Sequence, residues 1–386
     1  MIYAERCSMF LVLIAAGLTL SCASAPPSDK WSTPPAPGSA PPGSPVALHG
    51  QLAVAGVPTV AADGSSTVVY QLVDQNGLPV QLKGVSSSGL NYESQPFAEN
   101  KQALTWMRDN WKLSVIRAAM TINSQTGGPT DLLSITQPKA EIIVQHAIEL
   151  GVYVMVDWHT EDAINHQDAA IAYYTQMATT YGAYPNVIWE PFNEPAGNPR
   201  YSWAQIKAYH QAVADAVRSV DPDNLMVLGT PSWSQNVDQA AADPVVGTNL
   251  LYTLHWYSCT QGQSIRSKGD TAVAGGLALF VSEFGATFSD GGLSSNGHNY
   301  VCEDEANLWL SWMAKYGISG VAWKLDAHSD SSSILTATAT VGGPWTGDKL
   351  SSDAGGALFT GTLPGGVSGT AIQGGHGQFV VTWLQQ

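Results

Sequence analysis

The run Val187-Ile188-Trp189-Glu190-Pro191-Phe192-Asn193-Glu194-Pro195 reads as a short buried strand that ends in a polar turn. Val, Ile and Trp suit a pleated, half-buried surface, and the two prolines stop the strand from continuing. Leu279-Phe280-Val281-Ser282-Glu283-Phe284-Gly285 repeats the design: an apolar run that delivers a glutamate. Outward from these two, β-rich runs recur near Leu82–Val85, Val115–Ala118, Tyr153–Asp157, Leu225–Leu228, Leu251–His255 and Gly320–Trp323. Helical patterns lie between them, for example at Lys139–Leu150, Ala169–Tyr181, Tyr201–Val220 and Glu303–Tyr316. This alternation predicts an α/β fold, a single (β/α)8 TIM barrel with a parallel inner sheet. Ahead of it, Leu48–Val80 predicts a small N-terminal β-hairpin region, with Asn76-Gly77 as a turn, capping the bottom of the barrel.

Composition permits this. The chain has 386 residues, 44% hydrophobic and 12% charged, ample for one large core with extensions. A net charge of −15 repels a nucleic-acid backbone, so no nucleic-acid partner is expected. Residues 1–22 read as a signal peptide: Arg6 precedes an apolar run, Met9 to Leu20, too short to span a bilayer. Two cleavage routes stay open. Leu18-Thr19-Leu20-Ser21-Cys22 has the form of a lipobox, which would make Cys22 a lipid anchor, and Ala23-Ser24-Ala25 is a small-residue site followed by Pro26. The expected location is therefore secreted, or lipid-anchored at a bacterial cell surface. Residues 23–47, rich in Pro, Ser and Gly, read as a linker. The catalytic domain is placed at 48–364, and 365–386 is a C-terminal tail without an assigned role. Cys259 and Cys302 remain in the folded part, and in an exported protein such a pair is expected to be a disulfide.

The polar residues at the strand ends form a set. Strand two delivers Arg117, strand three Asp157-Trp158-His159, and strand four Asn193 and Glu194. Strand six delivers His255, Trp256 and Tyr257, strand seven Glu283, and strand eight Trp323. One such residue is ordinarily a satisfied buried group; so many in register need a common purpose, because each buried polar atom must find a partner. Two carboxyls facing one cleft are the apparatus for breaking a glycosidic bond with retention. Glu283, held as a carboxylate by Arg117 and Tyr257, is expected to be the nucleophile, and Glu194 the acid and then the base. Asn193 is expected to bind a sugar 2-hydroxyl, and Trp323 to form the floor under the reacting sugar. Glu190 is expected to anchor the barrel interior; Glu161 and Asp162 read as loop surface. His159 and His255 sit on different strands without a ligand motif, so no metal is expected.

These motifs resemble glycoside hydrolase family 5, the cellulase family, and within it the bacterial endoglucanases of subfamily 2. The resemblance rests on Asn193-Glu194-Pro195 with Leu82-Lys83-Gly84-Val85-Ser86-Ser87, Val115-Ile116-Arg117-Ala118-Ala119-Met120 and Val156-Asp157-Trp158-His159. Downstream it rests on Gly229-Thr230-Pro231-Ser232-Trp233-Ser234-Gln235, Thr253-Leu254-His255-Trp256-Tyr257 and Val281-Ser282-Glu283-Phe284-Gly285. It covers about Gln51 to Ser352. It implies a (β/α)8 barrel without a cofactor that cleaves β-1,4-glucan as a monomer, with Glu194 and Glu283 catalytic. It further implies supporting or substrate-binding roles for Arg117, His159, Asn193, Trp233, His255, Tyr257 and Trp323. The chain departs from the family at Ser88, Tyr92, Thr121 and His328, where the family usually has His, Trp, Tyr and Lys. These positions help hold sugars on the non-reducing side, so altered subsites are expected, each lost stacking contact weakening binding by roughly 0.5–1.5 kcal/mol. Two alternatives follow: the same machinery on mannan, xylan or a decorated glucan, or a non-catalytic surface polysaccharide-binding protein.

Overall fold

A computed structural model describes residues 34–60, 66–123, 130–197, 200–352, 358–362 and 368–386. The expected signal peptide, Cys22 and the first part of the linker lie outside the described residues.

Eight parallel strands close into a barrel. They are preceded by a hairpin of β1 (Ala53–Val60) and β2 (Ser66–Val73). The barrel strands are β3 (Lys83–Ser87), β4 (Val115–Thr121), β5 (Tyr153–His159), β6 (Val187–Glu190), β7 (Leu225–Leu228) and β8 (Leu250–Thr253). A two-residue strand β9 (Trp256–Tyr257) continues from β8, and β10 (Leu279–Gly285), β11 (Tyr300–Val301) and β12 (Ser319–Leu325) follow. The order is β12-β3-β4-β5-β6-β7-β8-β10, and β10 pairs with β12 to close the ring. Every rung is parallel, and β3 to β8, β10 and β12 are buried along nearly their whole length. That is the signature of a sheet covered on both faces, and it explains why these strands read as continuous apolar runs.

The expected helices are present with shifted ends. Leu133–Leu150 starts a turn and a half before the predicted Lys139 and carries Pro138 inside it. Gln167–Tyr181, Trp203–Arg218 and Glu303–Tyr316 match their patterns closely. Ser202 and Gln205 form a reciprocal cap at the start of the third helix in this series.

Both ends of the expected catalytic domain need correction. The segment 365–386 is not an appendage: β14 (Ser368–Gln373) pairs with β13 (Leu358–Thr362) and with β11, and the helix Gly377–Leu384 follows β12 as the eighth barrel helix. Trp383 packs edge-on against Phe284 of β10, with ring centroids 4.9 Å apart. At the other end, part of the expected linker is folded: the helix Pro45–His49 is capped by Ser44, and Val46 joins the core under the barrel. That core gathers Leu72, Leu82, Tyr153, Ile188, Leu225 and Phe280, so the hairpin region does close the bottom. Asn76-Gly77 is not the tip of the β1–β2 hairpin. It belongs to the next turn, in which Asp74 Oδ1 accepts the Asn76 and Leu78 amides.

Candidate active site

The strand ends converge on one guanidinium. Arg117 is fully buried on β4 and reaches five neighbours, the most distant being Ser86 Oγ, 3.5 Å from Nη1. Its Nε donates to Glu190 Oε2 at 2.7 Å, Nη1 to Glu283 Oε2 at 2.9 Å, and Nη2 to Asn193 Oδ1 at 2.6 Å, with Asp157 Oδ2 2.9 Å from Nη2. The neighbouring strands β4, β5 and β6 bring Arg117, Asp157 and Glu190 into register, Asn193 follows β6, and Glu283 comes from β10. Glu190 is thus an anchor for Arg117, as its place on β6 suggested. Asp157 was named in the strand-end set but given no role of its own; it precedes His159 by two on the same strand. That spacing puts both side chains on one face, and His159 Nδ1 lies 2.7 Å from Asp157 Oδ2.

Two carboxyls face each other across the centre. One oxygen of Glu194, one of Glu283 and one ring nitrogen of His255 lie within 4.8 Å of one another. Glu283 Oε1 accepts from the Tyr257 hydroxyl at 2.5 Å, and Glu194 Oε1 lies 2.8 Å from His255 Nδ1. His255 can reach Glu194 because strand β8 pauses there: its amide donates to Ser234 O at 2.8 Å rather than along the sheet.

The environments push the two carboxyls apart in acidity. Burial raises Glu194 well above the ordinary carboxyl range, and the charge of Glu283 raises it further. Burial opposes ionisation of Glu283 too, but positive charge around it, from His255 when that ring is protonated at low pH and from Arg117 and His159, together with the Tyr257 hydroxyl, holds it below the ordinary value. Burial also drives His255 down to about 4, so near neutral pH Arg117 is the permanent cation beside Glu283. Glu190 is pushed by burial up to about 7, against the pull of Arg117.

A cleft runs to both sides of the pair. One cavity, about 460 Å3, is lined by Glu161, Glu194, Trp233, His255, Tyr257 and Asp290, among others. Trp233 stands 42% exposed there on a backbone of positive φ (55°), and its ring lies where a Cβ on Gly197 would sit only 2.1 Å away. A non-glycine residue held in that conformation is strained, and strain of this kind concentrates at working sites. The other cavity, about 320 Å3, brings Ser88, Tyr92, Thr121 and His328 together with His159 and Trp323. The rings of His159 and Trp323 stack at 5.3 Å. Lys324, which the sequence reading passed over, lines this cavity and pairs with Asp330 at 3.0 Å.

Of the two residues read as loop surface, Glu161 is partly exposed in the loop after β5, but Asp162 is not at the surface. Glu161 lines the larger cavity, and Asp162 is fully buried against Arg200, Asn165 and Tyr201. Cys259 and Cys302 are joined by a disulfide that ties the loop after β9 to the end of the loop after β10. Among the described residues, Glu194, His255 and Glu283 are the one group with metal-like spacing, and Arg117, bonded to Glu283 at 2.9 Å, opposes a cation there.

A closed (β/α)8 barrel that gathers two carboxyls of opposed acidity in an open cleft defines a barrel of the glycosidase class. The chain belongs to the cellulase family, glycosyl hydrolase family 5, whose sequence model matches residues 73–329. It is 39% identical over 297 residues to an endoglucanase of Clostridium saccharobutylicum, covering 76% of this chain and 64% of that one. It is 37% identical over 311 residues to endoglucanase N of Pectobacterium atrosepticum, covering 80% and 64%. The chain thus spans a little under two thirds of the length of these relatives. The catalytic domain of a Thermobifida fusca endoglucanase, solved with cellotetraose, superposes with a TM-score of 0.69 at 25% identity, covering 89% of this chain and 100% of that domain.

Proposed function

We propose that this protein is an endo-acting, retaining β-1,4-glucanase. The observation that carries the reading is the separation of Glu194 and Glu283, within 4.8 Å between their nearest oxygens. Retaining glycosidases hold their two carboxyls about 5–5.5 Å apart, and inverting ones leave room for a water. The ionised Glu283 attacks the anomeric carbon while Glu194 protonates the departing oxygen. Esterification removes the charge that helped raise Glu194, which then serves as base for the incoming water. Asn193, held by Arg117, is suited to the 2-hydroxyl of the reacting sugar, where a contact strengthens in the transition state. A cleft with a cavity on each side of the pair suits cleavage within a chain, and the cellotetraose bound by the Thermobifida fusca domain supports a β-glucan as the occupant.

Export is part of this reading, supported by the Cys259–Cys302 disulfide, since such bonds persist in oxidising compartments. Release of reducing ends from carboxymethyl cellulose, barley β-glucan, xylan and mannan tests the substrate. Activity on the first two that collapses in Glu194→Gln and Glu283→Gln is expected. Activity confined to mannan or xylan would keep the mechanism and move specificity to the cavity around Ser88, Tyr92, Thr121 and His328.

A further inference from the structure

The helix Gly377–Leu384 begins with a residue that does not cap it. His376 holds the N-cap position, where Ser, Thr, Asp or Asn ordinarily accepts a first-turn amide, yet its ring makes no such bond. Ser351 takes that part instead, accepting the Gly377 amide on Oγ at 2.9 Å and the Gln378 amide on its carbonyl at 2.9 Å. The ring of His376 is buried and turned away from the helix, toward the ends of β10 and β12. Its Nε2 lies 2.8 Å from Ser332 O, and its Nδ1 faces the Ala286 amide at 3.4 Å. A carbonyl can only accept and an amide N–H can only donate, so both partners call for the neutral ring with its proton on Nε2. Burial favours the same uncharged form.

Those two partners flank a stretch where the sheet is irregular. The β10–β12 ladder is in register at Val281–Gly320 and resumes at Phe284–Ala322, so three steps of β10 span two of β12, and Glu283 falls in the gap. The β12–β3 ladder passes from Ala322–Val85 to Leu325–Ser87, again three steps against two, and Trp323 falls in that gap. Bulges of this kind re-aim side chains and gather beside active sites. The proposed nucleophile and sugar floor both stand outside regular pairing, so another device must hold them at a fixed separation. Ser332 O also accepts the amide of Lys324, the residue after Trp323, at 2.9 Å, and Ala286 follows Glu283 by three residues. His376 bonds to both segments.

We propose that His376 is a positioning residue: it ties the continuation of β10 to the segment that holds β12, and so sets Glu283 at attacking distance from a sugar seated on Trp323. This rests on the reading of Glu283 as nucleophile and Trp323 as floor. It gives the C-terminal segment a part in the reaction, although His376 touches no reacting atom. A tie of this kind acts on the rate of attack, because a misplacement of about 1 Å can cost on the order of 100-fold.

Reaction with 2,4-dinitrophenyl 2-deoxy-2-fluoro-β-cellobioside reads that step alone. Its phenolate leaves without an acid, and the fluorine slows hydrolysis of the glycosyl-enzyme, so each active site releases a single phenolate. The amplitude then counts folded sites, and the rate constant at saturation reports attack within them. His376→Leu fills the place of the ring and offers neither bond; it should keep the amplitude and lower the rate constant roughly tenfold. His376→Gln, which carries an amide N–H toward Ser332 O, should restore most of the rate. A lower amplitude with an unchanged rate constant would mean a packing role, and no change in either would mean no role. A loss that Gln does not restore would mean a cause other than the Ser332 bond. Each of these overturns the proposal. If His376→Leu does not fold, His376→Asn, too short to reach Ser332 O, makes the same comparison. Peptide mapping of the wild-type adduct runs alongside. Label on Glu283 upholds the nucleophile reading; label elsewhere, or none, would sink that reading whatever His376 does.

Discussion

Replacing Arg117 with Met keeps an unbranched apolar stem and removes the permanent cation of the cage. The guanidinium makes four contacts of 2.6–2.9 Å, three of them to the carboxyls of Asp157, Glu190 and Glu283. Without it, buried carboxylates are left facing one another. Breaking a buried ion pair from one side costs about 3–5 kcal/mol. At about 2 °C per kcal/mol for a domain of this size, the melting temperature near neutral pH should fall on the order of 6–10 °C. The loss must also depend on pH, and the sign follows from linkage. Arg117 lowers both Glu190 and Glu283, so its removal raises both. Groups whose folded pKa is raised contribute stability that is full below the unfolded value, near 4.5, and is lost as pH rises through the folded value. Glu190 already sits at about 7 in the native protein, so the window to scan is pH 5 to 8. Thermal unfolding of wild type and Arg117→Met across it should show a gap that is widest at pH 8 and narrower at pH 5. A gap independent of pH, or one below about 1 kcal/mol, would refute the idea that this cation organises the carboxyls.

Other perturbations probe separate parts of the site. Tyr257→Phe removes a donor to the ionised form of Glu283, so the acidic limb of the kcat/KM profile should move to higher pH; an unmoved limb would leave Tyr257 without an electrostatic role. Trp233→Ala should raise KM for cellopentaose about 2–12-fold with kcat little changed, from the loss of roughly 0.5–1.5 kcal/mol of stacking. The Cys259→Ala/Cys302→Ala variant should lose at most about 4 kcal/mol of stability, as chain entropy gives for a bridge across 43 positions; urea unfolding with and without reductant checks this.

Most barrel strands were legible because they are apolar runs buried on both faces and stopped by a polar turn, as at Val187–Glu190 and Leu279–Gly285. The eighth helix was not. Phe379-Val380-Val381-Thr382-Trp383-Leu384 carries the residues of a strand, yet Gly377, Val380, Val381 and Leu384 fall on a helical face that packs on the barrel. Propensity yielded there to tertiary packing. The carboxyl pair and its partners could be proposed from strand ends because that position alone marks them. What escaped was whatever depends on loops meeting across long sequence distances. Asp162 reads as a surface acid until Arg200 and Tyr201 close over it, and Ser282 reads as an ordinary strand residue until His255 arrives from a different strand. Neither has a local pattern that a sequence could display.

The account turns on a carboxyl separation that leaves no room for a water, and therefore on the stereochemistry of the first product. Proton NMR of the hydrolysis of cellotetraose, recorded within the first minutes before mutarotation, reads the new reducing end directly. The β-anomer should appear first and decay toward the equilibrium mixture. Initial formation of the α-anomer would mean direct displacement by water, and would contradict the assignment of Glu283 as nucleophile.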